Sequence, residues 1–196
     1  MKAVAVVPGK RQLQLIEQEP PRLAAPTQVR LRMLEVGVCG TDREICAFQY
    51  GTPPAGSEHL VIGHESLGQV VEVGPAVTRL ARGDLVVTMV RRPCPHAECV
   101  ACRAGRQDFC FTGDFSERGI KNLHGFMTET VVDEERYMHL VPAALGEVAV
   151  LRPTWSRRSV GTTTRPRRPR SRGSPSRWAT STSSTRRPAP RPSPSR

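Results

Sequence analysis

Long apolar runs are missing from this 196-residue sequence. The run nearest the N-terminus, AVAVV at 3–7, has five residues, and no stretch of 18 apolar residues occurs. Such short runs provide neither a membrane-spanning helix nor the core of a signal peptide. We therefore expect a soluble protein of the cytoplasm, where clustered cysteines more often bind metal than form disulfides.

Acidic residues and lysine are missing from residues 151–196, which contain 13 arginines, eight prolines and 17 serines and threonines. The first 150 residues contain 16 basic and 18 acidic side chains, so the overall charge of +11 belongs to the tail. A tail of this composition buries too little apolar surface to offset the roughly 1–2 kcal/mol per residue that backbone ordering costs. We expect a folded domain at 1–151 and a disordered Arg/Pro/Ser-rich tail at 152–196.

Helical patterning is also scarce. Alternating apolar and polar residues predict short strands instead, with Gly, Pro and Asp between them. The predicted strands are 2–7, 27–38, 67–74, 85–90, 126–132 and 137–141. The best helix candidate is TDREICAFQY at 41–50, which Thr41 or Asp42 could cap. Many short strands with turn-rich links predict a mainly β fold, a Greek-key or partly open β-barrel.

The cysteines, by contrast, are clustered. RRPCPHAECVACRAGRQDFC places Cys94, Cys99, Cys102 and Cys110 in one 17-residue loop. Four protein donors that fill a tetrahedron are typical of a structural zinc site. We favour Cys94 as the fourth donor because it supplies a further sulfur, with His96 as the alternative because it lies closer to Cys99. Reduced cysteines that merely lie near one another are the simpler explanation, which four in one loop disfavours.

A second group of metal-binding residue types lies in GVCGTD (37–42) and GHESLGQVVEVGPAV (63–77). Cys39 follows one strand-like segment and His64 precedes another, and both lie beside glycines that let the backbone turn sharply. Taken singly, a cysteine or a histidine is more often a packed core residue than a ligand. Together with Glu65 they offer three donors and an open position, as in a catalytic zinc site.

The pattern G-H-E-x2-G-x5-G-x2-V, from Gly63 to Val77, resembles the zinc signature of medium-chain alcohol dehydrogenases. GVCGTDREI, and SERGI followed by HGFM, resemble the glucose dehydrogenase branch of that family, and the resemblance covers residues 1–151. It implies a GroES-like, partly open β-barrel catalytic domain. It also implies two zinc ions, NAD(P) as the hydride acceptor, an alcohol or glucose-type sugar as substrate, no membrane partner, and a homo-oligomer.

Site residues follow from the resemblance position by position. Cys39 and His64 would be ligands of the catalytic zinc, and Glu65 a ligand or a carboxylate close to it. Thr41 would receive the proton of the substrate hydroxyl. Glu117, in SERGI, matches a carboxylate that contacts the sugar, with a solvated loop charge as the alternative.

The dinucleotide-binding half of that family is missing from the sequence. A Rossmann domain is announced by a G-x-G-x-x-G turn, but after residue 151 the only glycines are Gly161 and Gly173. The family's Val-Leu-x-Glu-Pro-Leu segment is also lost after VAVL. We therefore expect a frameshift just after Leu151, an incomplete barrel, no cofactor-binding residues and little or no dehydrogenase activity. The alternative is a non-catalytic zinc-binding module whose basic tail binds nucleic acid through its phosphates.

Overall fold

A computed structural model of the chain describes residues 1–142 and residue 145. These residues are mainly β, as predicted. The strands are β1 (Lys2–Val7), β2 (Gln12–Glu17), β3 (Gln28–Gly37), β4 (Leu60–Val61), β5 (Glu65–Val73), β6 (Leu85–Thr88), β7 (Arg91–Arg92), β8 (Ser116–Arg118), β9 (Asn122–Leu123), β10 (Thr130–Glu134) and β11 (Met138–Leu140), and the helices are α1 (Gly40–Cys46) and α2 (Val100–Arg103). Short 3-10 helices occupy Pro8–Lys10, Gln107–Phe109 and Glu135–Tyr137. Neither described α-helix is long and apolar enough to cross a membrane.

The described strands form three sheets. The largest has the order β10-β3-β5-β6-β11 and is antiparallel throughout. The other two have the orders β2-β1-β4 and β7-β8-β9. The pairing of β3 with β5 shifts register twice, between Arg30 and Leu31 and between Met33 and Glu35. Such irregularities bend a strand and increase its twist, which suits the curled half-barrel of this sheet.

The apolar positions of the alternating segments form the core. In β3, Val29 and Leu31 are fully buried and pack with residues of β5, β6 and β11. A second cluster joins β1 and β4 to α1 through side chains such as Val6, Leu60 and Ile45. Full burial of such a side chain contributes about 1.5–3 kcal/mol, so the second cluster holds α1 against β1 and β4.

A buried ion cluster links the β7-β8-β9 sheet to the largest sheet. The Oδ2 atom of Asp133, in β10, accepts hydrogen bonds from Arg92 at 2.5 Å and from Arg118 at 3.1 Å. Asp133 and Arg92 are both less than a tenth exposed. Burial lowers the pKa of the Arg92 guanidinium, and Asp133 opposes that effect by stabilising the charge. The single carboxylate therefore balances the charge of two guanidinium groups whose other hydrogen bonds go to backbone carbonyls.

The predicted elements agree with the structure except at their ends. The segment 2–7 is β1, whereas the strand predicted at 126–132 begins only at Thr130. The amides of Phe126 and Met127 instead donate to Gly63 and Ile62, outside the ladder. The helix predicted at 41–50 spans Gly40–Cys46.

The predicted cap of this helix is wrong. Cys39, rather than Thr41 or Asp42, is the N-cap residue of α1. Asp42 instead lies in the first helical turn, where its carboxylate accepts the Cys39 amide at 3.0 Å. The disorder and the frameshift expected for 152–196 concern residues outside those described.

Candidate metal centres

Antiparallel pairing of β3 with β5 brings the first cluster together. Gly37, the last residue of β3, lies opposite Glu65, the first residue of β5. Cys39 follows the end of β3 and His64 precedes the start of β5, so both lie at the same edge of the sheet. The Sγ atom of Cys39 is 3.2 Å from Nε2 of His64, and donor atoms of Cys39, His64 and Glu65 all lie within 4.8 Å of one another.

Glycine at position 63 is needed to place His64. Its φ is +88°, and a Cβ there would lie 2.6 Å from Cγ of Met127 and 2.9 Å from Val36. The Gly63 carbonyl is in turn so close to Gly119 and Gly125 that neither position has room for a side chain. The backbone segments at Gly63, Gly119 and Gly125 therefore lie in contact with one another, next to His64.

Asp42 is a site residue that the sequence analysis missed. It is buried, and its Oδ1 atom lies 3.4 Å from Nδ1 of His64. Burial raises the pKa of Asp42, but hydrogen bonds with His64 and the Cys39 amide outweigh it and lower that pKa. An ionised carboxylate at Nδ1 directs Nε2 of the ring toward Cys39, as in metal sites where a carboxylate orients a ligating histidine. The signal that the sequence offered for Asp42 was an acidic residue at the third position of α1, where such a side chain can bond to the N-cap amide.

The donor set suits a tetrahedral zinc ion with an open position. With Zn–S of about 2.3 Å and Zn–N of about 2.0–2.1 Å, the sulfur and nitrogen would lie about 3.5 Å apart, close to the observed 3.2 Å. His64 is fully buried, whereas Cys39 and Glu65 are half-buried. A carboxylate oxygen of Glu65 occupies the space that a side chain at Gly37 would take. This cluster is thus anchored on one side and accessible on the other.

Thr41 lies in the first turn of α1, two residues after Cys39, and is half-buried. Its position in this turn keeps its hydroxyl on the same short segment as the Cys39 sulfur and the Asp42 carboxylate. The structure therefore places Thr41 in the segment that forms the cluster, and its role in proton transfer stays a prediction.

The second cluster is the four-cysteine loop. Its Sγ atoms all lie within 4.8 Å of one another, and those of Cys99 and Cys110 are 3.9 Å apart. Two sulfurs of a tetrahedral zinc site would be about 3.8 Å apart, so this spacing fits the ion. Cys94, Cys99 and Cys102 are buried, and Cys110 is half-buried. The cluster is filled by protein donors, which is the pattern of a structural site.

The thiols of this loop differ in acidity. Burial raises the pKa of Cys102 to about 12. Desolvation also opposes ionisation of Cys110, but hydrogen bonds with Thr112 and Cys102 outweigh it and lower its pKa to about 6. A metal ion that binds here must displace protons from the less acidic thiols, so its affinity should fall as the pH falls.

His96 lies outside the four-sulfur group. Its Nε2 atom is 2.8 Å from Asp114, its Nδ1 atom is 3.7 Å from Glu98, and its side chain is 39% exposed. Two carboxylates at the surface thus engage the imidazole, while the Cys94 sulfur lies among the other three. This arrangement favours Cys94 over His96 as the fourth donor.

Glu117 is not a solvated loop charge. It is the middle residue of β8, it is 2% exposed, and its Oε1 atom accepts Nε and Nη2 of Arg91 at 2.9 and 2.8 Å. Arg91 also donates to the carbonyl of Asp108, which lies between Cys102 and Cys110. Arg91 therefore connects Glu117 to the four-cysteine loop, and the contact of Glu117 with a sugar stays a prediction.

A curved β domain with one accessible Cys–His–carboxylate cluster and one closed four-cysteine loop defines the class of zinc-type dehydrogenase catalytic domains. The family model for the alcohol dehydrogenase GroES-like domain matches residues 25–143. The chain belongs to this family, which confirms the predicted resemblance and the predicted fold class.

Among curated relatives, glucose 1-dehydrogenase from Methanocella arvoryzae is 49% identical over 152 residues, covering 77% of this chain and 42% of the relative. Glucose 1-dehydrogenase from Thermoproteus tenax is 40% identical over 151 residues, with the same coverages of 77% and 42%. The chain thus spans about two fifths of the length of these relatives.

Solved structures give the same result. Haloferax mediterranei glucose dehydrogenase in complex with NADP, Zn and gluconolactone superposes with a TM-score of 0.69 at 38% identity, covering 77% of this chain and 42% of that one. An alcohol dehydrogenase from Thermus sp. ATN1 has a TM-score of 0.58 at 27% identity, with coverages of 72% and 40%.

Proposed function

We propose that residues 1–142 are the zinc-binding catalytic domain of an NAD(P)-linked dehydrogenase that oxidises an alcohol or a glucose-type sugar. The observation that carries this proposal is the cluster of Cys39, His64 and Glu65, with Asp42 behind the histidine, in a domain similar to glucose dehydrogenases. The Haloferax relative, whose structure contains Zn, NADP and gluconolactone, supports the metal, the cofactor and the substrate class. The six cysteines are free thiols, which suits a reducing cytoplasm.

The residues of the first cluster divide the work of the site. Cys39, His64 and Glu65 would hold the zinc, which supplies Lewis acidity to a substrate oxygen when it is bound. The Asp42 carboxylate holds the His64 ring so that Nε2 is the ligand atom. Thr41 would receive the hydroxyl proton and pass it toward solvent.

Glu117 would accept hydrogen bonds from sugar hydroxyls, with Arg91 fixing the orientation of its carboxylate. Hydride transfer also needs a nicotinamide held against the substrate. We assign no nicotinamide-binding residue within the described part of the chain. The four-cysteine loop would hold a second, structural zinc through Cys94, Cys99, Cys102 and Cys110.

Elemental analysis of the purified chain tests the two metal sites. We expect two zinc ions per chain, one in His64→Ala and two in the matched control His96→Ala. Cobalt substitution should distinguish the sites, because four thiolates give more intense charge-transfer absorption than one. Two zinc ions in His64→Ala would contradict the first site.

A domain exchange tests the reaction. Residues 1–142 would replace the equivalent part of Haloferax mediterranei glucose dehydrogenase, and glucose-dependent reduction of NADP would be measured. We expect activity in the hybrid, its loss with His64→Ala and its retention with His96→Ala. A folded hybrid that binds two zinc ions but oxidises neither sugars nor simple alcohols would overturn the proposal.

A further inference from the structure

The space beside Gly37, the last residue of β3, is filled by the side chain of Glu65. A Cβ at position 37 would lie 2.3 Å from Oε2 and 3.0 Å from Cβ of Glu65, whereas non-bonded carbon atoms are best separated by about 3.5–4.0 Å. The φ of Gly37 is not positive, so an alanine could adopt the same backbone conformation. The requirement for glycine here is therefore one of space and not of backbone conformation.

The pairing of the two strands explains this close contact. Gly37 and Glu65 lie directly opposite each other in the antiparallel ladder of β3 and β5, and the Cβ atoms of such a pair are normally about 4.5–5.5 Å apart. Here that separation would be 3.0 Å, so the strands lie closer together than two side chains normally allow. Cys39 and His64 lie at this same end of the ladder, so the contact is next to the candidate metal donors.

The two carboxylates near His64 are held in different ways. Asp42 is fixed by polar contacts with the Cys39 amide and with His64. The carboxylate of Glu65 makes no side-chain hydrogen bond or ion pair with another described residue, yet one of its oxygens lies within 4.8 Å of the donor atoms of Cys39 and His64. The shape of its surroundings, including the gap at Gly37, therefore keeps the Glu65 carboxylate in the cluster.

We propose that Gly37 is a positioning residue of the Cys39–His64 cluster: because it has no side chain, the carboxylate of Glu65 can lie beside Cys39 and His64 as the third donor. This inference deepens the proposed function and rests on its first metal site. Alanine at position 37 would meet Oε2, the far end of a flexible side chain, at 2.3 Å, whereas the Cβ contact requires a shift of only a few tenths of an ångström. The carboxylate would therefore turn out of the cluster while the strands stay paired.

Zinc affinity, measured on the full chain by competition with a chromophoric chelator, tests this role. Gly37→Ala should bind the ion of the Cys39–His64 cluster about tenfold or more weakly than the parent chain, as is typical when a group next to metal ligands is lost. The matched control is Gly40→Ala, on the same segment, where an added Cβ would have nothing within 4 Å. The control should bind zinc as the parent does. Parental affinity in Gly37→Ala would overturn the proposal.

Removal of the carboxylate separates its displacement from a general widening of the two strands. Glu65→Ala lacks Oε2 but keeps its Cβ, so only the contact between the Cβ atoms remains when Gly37→Ala is added. Glu65→Ala alone should weaken zinc binding about as much as Gly37→Ala. The double variant should be no weaker than either, because two changes that remove the same interaction are not additive. If Gly37→Ala weakens the Glu65→Ala chain by the same factor as the parent, the strand spacing is responsible and the proposal is overturned.

The absorption spectrum of bound cobalt reports on the ligands themselves. Subtracting the spectrum of cobalt-loaded His64→Ala from that of each variant isolates the Cys39–His64 cluster from the four-cysteine loop. The resulting bands should change in the same way in Gly37→Ala and in Glu65→Ala, and should stay parental in Gly40→Ala. Parental bands in Gly37→Ala would mean that the carboxylate has not moved, and would overturn the proposal.

The His64→Ala variant also shows which inference has failed. If it still binds two zinc ions, the first metal site is wrong, and the role of Gly37 falls with it. If it loses one ion while Gly37→Ala keeps parental affinity and parental cobalt bands, the metal site stands and only the role of Gly37 is wrong.

Discussion

Replacing Asp42 by asparagine should weaken metal binding at the Cys39–His64 cluster without removing any of its donor atoms. The polar partners of the Asp42 carboxylate are donors: the Cys39 amide, at 3.0 Å, Nδ1 of His64, at 3.4 Å, and the Gly63 amide. An asparagine has only one acceptor oxygen, so its NH2 group must face one of these donors. Either His64 loses the group that orients its ring, or the first turn of α1 loses its bond to Cys39.

The expected size follows from comparable groups behind ligating histidines. Removing such a partner typically lowers metal affinity 10- to 100-fold, which is about 1.4–2.7 kcal/mol. The loss of a helix cap alone costs roughly 0.5–2 kcal/mol of stability. Affinity and stability must therefore be measured separately, so that a partly unfolded variant is not mistaken for a weak site.

Competition with a chromophoric zinc chelator measures the affinity, and urea unfolding measures the stability. The matched control is Asp114→Asn, which also removes a carboxylate charge 2.8 Å from a histidine, but at the surface beside His96. We expect this control to bind both zinc ions as the parent does. If Asp42→Asn binds both ions with parental affinity while remaining folded, the inferred role of Asp42 in orienting His64 is refuted.

Three further outcomes are expected. Cys94→Ser should lower the zinc content by one ion per chain while His96→Ala leaves it unchanged, and the reverse result would make His96 the fourth donor. Ile45→Ala should lower the free energy of urea unfolding by about 2–5 kcal/mol, because Ile45 is fully buried. The control Val100→Ala, at a 67% exposed position, should change it by less than about 0.5 kcal/mol. Asp133→Ala should destabilise by about 3–5 kcal/mol, since it leaves two guanidinium groups in the interior without their carboxylate; a loss below about 1 kcal/mol would contradict that account.

The alternation of apolar residues predicted most of the described strands because buried faces follow a period of two. Val29 and Leu31 are examples, and both are fully buried. No strand is predicted at β2, although QLQL at 12–15 alternates polar and apolar residues in the same way, and its two leucines are exposed. The rule also extended the strand at 126–132 too far toward the N-terminus. The amides of Phe126 and Met127 bond to residues near Gly63, a long-range contact that local pattern does not contain.

The two clusters of candidate metal donors were predictable because the residue types and spacings of such clusters are limited by coordination chemistry. The partners of those residues were not. In the sequence, Asp42 is an ordinary acidic residue in a predicted helix, and its contact with His64 becomes visible only in the folded structure. Glu117 was expected either to contact sugar or to be solvated, yet it is buried against Arg91, because the register of β7 with β8 places these two residues opposite each other. Pairing across strands is set by the whole fold and leaves little trace in a local segment.

The contacts of Gly63 also bear on the order in which the two metal sites can assemble. The four-cysteine loop is complete once residue 110 has left the ribosome, since all its donors lie within 17 residues. The Cys39–His64 site must wait for Gly119, Gly125 and Met127, which enclose the backbone just before the histidine. Because domains begin to fold during synthesis, we expect the nascent chain to acquire its structural ion first and its catalytic ion second.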